Sequence, residues 1–101
     1  MDNAPAEKGH GESSRAALME AIVSDHETVL LRYAARILNN PSAAQDVVQN
    51  VFIKLFRNWA EGTRPSARLK SWLFRVTHNE AVDYMRRETR LRALHERQGD
   101  A

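Results

Sequence analysis

The apolar positions of this chain recur at helical spacing, and nowhere do they show the strict alternation that a half-buried strand requires. The clearest run is Ala44, Val47, Val48, Val51, Phe52, Leu55, Phe56 and Trp59, which follows i, i+3, i+4, i+7 without a gap. It predicts a helix from Ser42 to about Trp59 with that side in the core, and Gln45 gives Ser42 a box-like partner at its start. Upstream, Leu18, Met19, Ile22 and Val23 predict a first helix capped by Ser13 or Ser14. Ser24 and Glu27 form a second capping pattern, so a new helix is expected there, carrying Val29, Leu30, Tyr33, Ala34, Ile37 and Leu38. Asn39, Asn40 and Pro41 stop it, because proline cannot donate to the preceding turn and asparagine tolerates left-handed backbone.

After a loop over 60–65, marked by Gly62 and Pro65, the last helix is expected to begin between Ser66 and Leu69 and to fade after Arg92. It has two sides. Leu69, Trp72, Leu73, Val76, Thr77 and Tyr84 gather on one, and Arg68, Arg75, Asn79, Arg86 and Arg90 on the other, at intervals of 7, 4, 7 and 4 residues. A merely solvated face would mix signs, and this one has only Asp83 at its margin. Trp72 projects to the border of the two sides, where it suits either core packing or stacking on an unpaired base. On the 42–59 helix the polar side carries Asp46, Gln49, Asn50, Ile53 and Arg57, and Ile53 breaks the pattern. An isolated exposed isoleucine has no meaning by itself.

The pattern as a whole predicts an all-α fold, a compact bundle of about four helices with the last one long and basic. Residues 1–12 mix Gly, Pro, Ala and charge without period and read as a disordered tail; 13–97 form one helical domain; 98–101 are a frayed end or the start of a linker. A length of 101 residues leaves room for one small domain, and 43% hydrophobic with 28% charged residues is ordinary for a soluble fold.

Net charge is only +2, yet the bases concentrate from Arg64 onward. Charge alone leaves a solvated face and a polyanion partner equally open; placement on one stripe favours the polyanion. There is no cysteine, so disulfides and thiolate metal sites are excluded. The start carries an early acid and no apolar segment, so neither a signal peptide nor a membrane anchor is expected, and a cytoplasmic location is. His10, His26, His78 and His95 lack ligand spacing, and no phosphate-cradling glycine loop, nucleophile elbow or paired-carboxylate arrangement is present. No catalytic residue, metal or cofactor is expected, which leaves binding.

The runs NNPSAAQDVVQNVFIKLFRNW and LKSWLFRVTHNEAVDYMRR resemble region 2 of the extracytoplasmic-function sigma factors, the specificity subunits of bacterial RNA polymerase. The spacing of Asp46, Gln49 and Phe52, the Trp72-Leu73 pair, and then Arg75, Asn79, Asp83 and Arg86-Arg87 carry the resemblance in order. It implies that Asp46, Gln49, Asn50, Ile53, Lys54 and Arg57 dock on the clamp helices of the polymerase largest subunit, which would give Ile53 a reason to be exposed. It implies likewise that Thr63, Arg64, Ser66, Arg68, Trp72, Arg75, Asn79, Arg86 and Arg90 bind and melt the promoter minus-ten element and hold the non-template single strand. An anti-sigma factor is a further implied partner.

Two features depart from the family pattern. Asn50 stands where members usually have an acid, and a complete member adds a linker and a second helical domain that reads the minus-thirty-five element. The stop at Ala101 near a plausible linker favours an isolated domain over a natural truncation. Two other readings stand beside the sigma one. A sigma-like decoy for an anti-sigma factor would lose the bases of the promoter face, whereas Arg75, Asn79, Arg86 and Arg90 are retained. A major-groove reader would place a short recognition helix after a tight turn, whereas the last helix here is long and follows a loop.

Overall fold

The computed structural model describes residues 3–100, with side-chain environments from Ser14 to Arg97. Its order is α1 (Asn3–Leu38), α2 (Pro41–Arg57) and α3 (Ala67–Asp100), with no strand among the described residues. The all-α class holds, and the expected four helices are three.

The missing boundary is the one at Ser24. Leu18, Ile22, His26, Leu30, Ala34 and Leu38 stand four apart across that serine without a change of phase, and Ile22, Leu30 and Ala34 are completely buried in the same core. A cap at Ser24 would need extended backbone there and would turn Ile22 out of line with Leu30. Burying both aliphatic side chains contributes about 1.5–3 kcal/mol each, against about 1 kcal/mol for a cap, so the continuous helix prevails. His26 fits the helix interior because its Nδ1 bonds the Ile22 carbonyl at 2.8 Å.

The helix ends also shift. α1 begins at Asn3, so residues 3–12 are helical where the sequence predicts a disordered tail; Met1 and Asp2 lie outside the described residues. α2 starts one residue earlier than expected, with Asn40 rather than Ser42 as its cap: the Asn40 Oδ1 accepts from Ser42 N at 3.0 Å and Ala43 N at 3.2 Å. Pro41 therefore opens α2 at a position where no backbone N–H is needed, instead of closing the helix before it. Asn39 does take left-handed backbone, at φ 52°. α3 continues to Asp100 past the expected fade at Arg92, while Ala101 lies outside the described residues. Up to Gln98 its last turns hold mostly Arg, Leu, Ala, Glu and Gln, good helix formers, with Glu88 and Arg92 at the favourable i, i+4 spacing; Gly99 follows only at the very end.

α2 is antiparallel to both of its neighbours. Phe56 at its end lies beside Met19 of α1, and Ala43 at its start lies beside Tyr84 of α3. α1 and α3 run the same way, joined by a 3.2 Å hydrogen bond between Tyr33 Oη and His78 Nδ1 and by an edge-on contact of Tyr33 with Phe74 at 5.3 Å. The core draws on all three helices but mostly on α2, through Ala44, Val47, Val48, Val51, Phe52 and Leu55. Leu69, Leu73 and Ala81 face it from α3, and buried Thr77 on the same side satisfies its hydroxyl on the Leu73 carbonyl at 2.7 Å.

The three-helix section is as long as α2 allows, about 25 Å for 17 residues. α1 and α3 are twice that length and overrun it at opposite ends, so the molecule measures 75 × 25 × 19 Å rather than the compact bundle predicted.

Candidate nucleic-acid interface

The start of α3 is fixed by local chemistry. Ser66 caps it, its Oγ accepting from Leu69 N at 3.1 Å and its carbonyl from Lys70 N at 3.0 Å. Just upstream, Ala60 and Thr63 bond reciprocally: Ala60 N donates to Thr63 Oγ1 at 3.0 Å and Thr63 N to the Ala60 carbonyl at 3.0 Å. Asn58 closes α2 by donating its Nδ2 to the Lys54 carbonyl at 2.8 Å. The loop is thus pinned at three points, and Arg64 is held between two of them.

Between this loop and the first turns of α3 lies a cleft of about 900 Å³ with Leu55 and Leu69 at its base. Six of the nine residues expected to meet DNA line it: Thr63, Arg64, Ser66, Arg68, Trp72 and Arg75. The half-buried Trp72 packs on the core and also lines the cleft, so it stands between the two surroundings as its border position predicts. Three cations around one indole, over an apolar base, suit a ligand with both a flat apolar face and negative charge. Thr63 and Ser66 enter the cleft with their hydroxyl oxygens already accepting backbone bonds, so what they supply first is the shape of its wall.

The other three, Asn79, Arg86 and Arg90, are exposed further along α3 and do not reach this cleft. Arg86 and Arg90 border a separate shallow groove with Val82 and Met85. From Trp72 to Arg90 is about 27 Å at 1.5 Å per residue. The stripe is therefore continuous in register but divided in space. Arg97, seven residues after Arg90 and exposed, continues the series. Sequence reasoning missed it by ending the helix at Arg92, although the interval alone was enough to find it.

On α2, Asp46, Gln49, Asn50, Ile53, Lys54 and Arg57 are all exposed, as their polar face predicts. They divide into three directions. Gln49 and Ile53 lean over an apolar groove shared with Val23, Glu27 and Leu31 of α1. Asp46, Asn50 and Arg57 lie along the middle of the face. Lys54 turns to the opposite side and pairs with the largely buried Glu80 of α3. Phe56, expected in the core, is 37% exposed, close to the 39% of Ile53, and lines the α1–α2 groove with Phe52 stacked behind it. Its place at the edge of the apolar arc was the available signal.

Among the described residues no cluster of His, Asp or Glu could hold a metal ion, and no helix is long and apolar enough to cross a membrane.

The Sigma-70 region 2 family matches residues 22–91, which include every candidate functional residue named above except Arg97. Over 83 residues the chain is 35% identical to the ECF RNA polymerase sigma factor SigL of Mycobacterium tuberculosis, covering 79% of this chain and 45% of that protein. It is 32% identical over 85 residues to the ECF RNA polymerase sigma factor SigE of Mycolicibacterium smegmatis, covering 81% and 31%. With the RNA polymerase sigma factor SigV of Bacillus subtilis it shares 27% over 78 residues, covering 77% and 46%. The chain spans less than half the length of these relatives. No solved structure matched it. A three-helix unit with a basic-rimmed cleft at the head of α3, matched in sequence over most of its length, belongs to the sigma-70 region 2 family, and the relatives it resembles are extracytoplasmic-function sigma factors.

Proposed function

We propose that this domain serves transcription initiation by docking on core RNA polymerase through α2 and by recognising and melting the promoter minus-ten element at the head of α3. The observation that carries this reading is the cleft itself, where Trp72 stands among Arg64, Arg68 and Arg75. A protein that hydrolyses no nucleotide opens DNA only by binding the unpaired state more tightly than the paired one. Stacking a freed base on Trp72 returns about 1–3 kcal/mol, against a cost of a few kcal/mol to unpair and unstack it. The arginines hold the backbone of the non-template strand meanwhile. One cleft does not cover the whole cost, so further contacts from the polymerase are part of the mechanism.

The α2 face is the docking surface for the clamp helices of the largest subunit, with Asp46, Gln49, Asn50 and Arg57 as its polar rim and Ile53 as the apolar contact beside the α1–α2 groove. Lys54 contributes less than its sequence position implies, because its ammonium is engaged by Glu80. A protein that covers both faces at once, as an anti-sigma factor would, blocks the activity.

Two measurements test this. The full chain is titrated with a fluorescent single strand carrying a minus-ten sequence. Trp72→Ala is expected to weaken binding by about 1–3 kcal/mol, and Arg75→Ala to reduce the salt slope by about 0.7. In parallel, Asp46→Ala with Gln49→Ala is expected to abolish capture by core polymerase with helical circular dichroism unchanged. Unimpaired capture removes α2 from the docking surface. Tight capture without any DNA binding would favour the decoy reading.

A further inference from the structure

We propose that the seam between α1 and α3, on the side of the bundle away from α2, is a docking surface for an acidic amphipathic helix of a partner protein. Tyr33 and Phe74 meet edge-on at its centre, with ring centroids 5.3 Å apart, and the Tyr33 hydroxyl is tied to His78 at 3.2 Å. Val29 extends the strip one turn back along α1, and Val82 and Met85 extend it forward along α3. Val29 and Met85 are 43% and 45% exposed, more open than Ile53 or Phe56, while Tyr33, Phe74 and Val82 are half-buried. None of these residues lines the cleft at the head of α3 or the groove between α1 and α2.

The packing of the helices explains why the strip is open. Val29 and Tyr33 project about 140° around α1 from Val23, Glu27 and Leu31, which border the groove shared with α2. Among the described residues there are three helices, so α2 fills one side of the parallel α1–α3 pair and leaves the other bare. From Phe74 to Met85 is about 16 Å, the length of a helix of about eleven residues. An apolar strip of that length in the furrow between two helices takes an amphipathic helix, which presents side chains at i, i+3 or i+4 and i+7.

The borders select the charge of that helix. Arg32 and Arg36 stand beside the strip on α1, and Arg75 and Arg86 on α3; all four are exposed, and none has an acidic partner among the described residues. Glu80 is turned to Lys54, and Asp83 projects about 100° away from Val82. Asp25 and Glu88 stand about one turn beyond the two ends, before Val29 and after Met85. A helix with Glu or Asp on both flanks of its apolar stripe therefore meets cations on both borders. A second copy of this chain is disfavoured, because a two-fold contact would set these arginines against their own kind. A nucleic acid is disfavoured as well, since Val29, Val82 and Met85 offer a base nothing to stack on, and Tyr33 and Phe74 are already packed on each other.

The test uses the full chain and three fluorescent peptides of the strip's length, each cross-linked into helical form. One carries a leucine stripe flanked by glutamates, one has lysines in place of the glutamates, and one has serines in place of the leucines. In anisotropy titrations the glutamate–leucine peptide is expected to bind at least about tenfold more tightly than either control, and to weaken as salt rises from about 0.05 to 0.5 M. Met85→Asp and Val29→Asp are each expected to weaken it by about tenfold or more, and Arg36→Ala by about twofold to fivefold. Backbone amide shifts of the wild-type chain locate the site without any variant, and are expected to centre on Val29, Tyr33, His78 and Val82. Shifts centred on residues 63–68, equal binding of the lysine peptide, or no binding of any peptide overturns the surface. A wild-type dimer in sedimentation that Met85→Asp dissolves makes the occupant a second copy, and duplex DNA binding that Val29→Asp abolishes makes it nucleic acid; either result overturns the partner helix. Because Val29, Met85 and Arg36 are exposed, helical circular dichroism is expected to be unchanged in the three variants.

Discussion

Asn39 and Asn40 are neighbours with opposite backbones, and between them they turn the chain from α1 into α2. Asn39 sits at φ 52°, and its N–H bonds the Ala35 carbonyl at 2.7 Å; Asn40 is extended, at φ −158° and ψ 108°, and caps α2 through its side chain. Each therefore answers differently to substitution. Asn40→Ala is expected to cost about 1 kcal/mol in urea denaturation through loss of the cap. Asn39→Gly should stay within about 0.5 kcal/mol of the wild type because glycine adopts the same backbone freely, while Asn39→Val should cost more than about 1 kcal/mol. In the core, Leu73 is completely buried, and Leu73→Ala is expected to cost about 2–5 kcal/mol. The Lys54–Glu80 pair, with Lys54 about half exposed at 51%, contributes much less; a double-mutant cycle should return under about 1 kcal/mol.

At the scale of elements, Ser24 separates two accounts of α1. If the serine were a cap, Ser24→Ala would destabilise by about 1 kcal/mol; inside a continuous helix, alanine is the better residue and the variant should gain a few tenths of a kcal/mol. The structure predicts the gain, and thermal or urea unfolding reads its sign. The capping pattern at Ser24 and Glu27 is a local signal, and local signals state only what a segment does in isolation. Ile22, Leu30 and Ala34 are packed by α2, a partner some 20 residues downstream, and no window around Ser24 contains it. The cap of α2 departs from expectation for a related reason: Asn40, Pro41 and Ser42 each carry a helix-boundary signal, and which of them acts is decided by backbone angles. The core faces of α2 and α3 were legible because a period of 3.6 sustained over many residues outweighs any one boundary.

At the scale of the molecule, the mismatch between a short α2 and two long neighbours decides the shape. The radius of gyration is 18.5 Å, against about 13 Å for a globule of this length. Small-angle scattering of the chain is expected to give a value near the larger one and an elongated distance distribution. The same mismatch divides the basic stripe between a cleft inside the bundle and an arm outside it, so that the arginines of one helix stand in two different environments. It also leaves Leu91 and Leu94 about half exposed on that arm, because no other described element extends far enough to cover them.

The sequence by itself determined the helical class, the inward faces of α2 and α3, the arginine register and the residues by which the family resemblance is carried. All of these are periodic or ordered along the chain, and a period needs no partner to be read. Only the tertiary structure decided that α1 is unbroken, that Phe56 faces a groove instead of the core, that Lys54 is engaged by Glu80, and that Thr63 and Ser66 shape the cleft wall by capping backbone. Each of these depends on which elements meet and where one of them ends. That is set by burial between segments distant in sequence, and the 17 residues of α2 against the longer helices on either side gave it its final form.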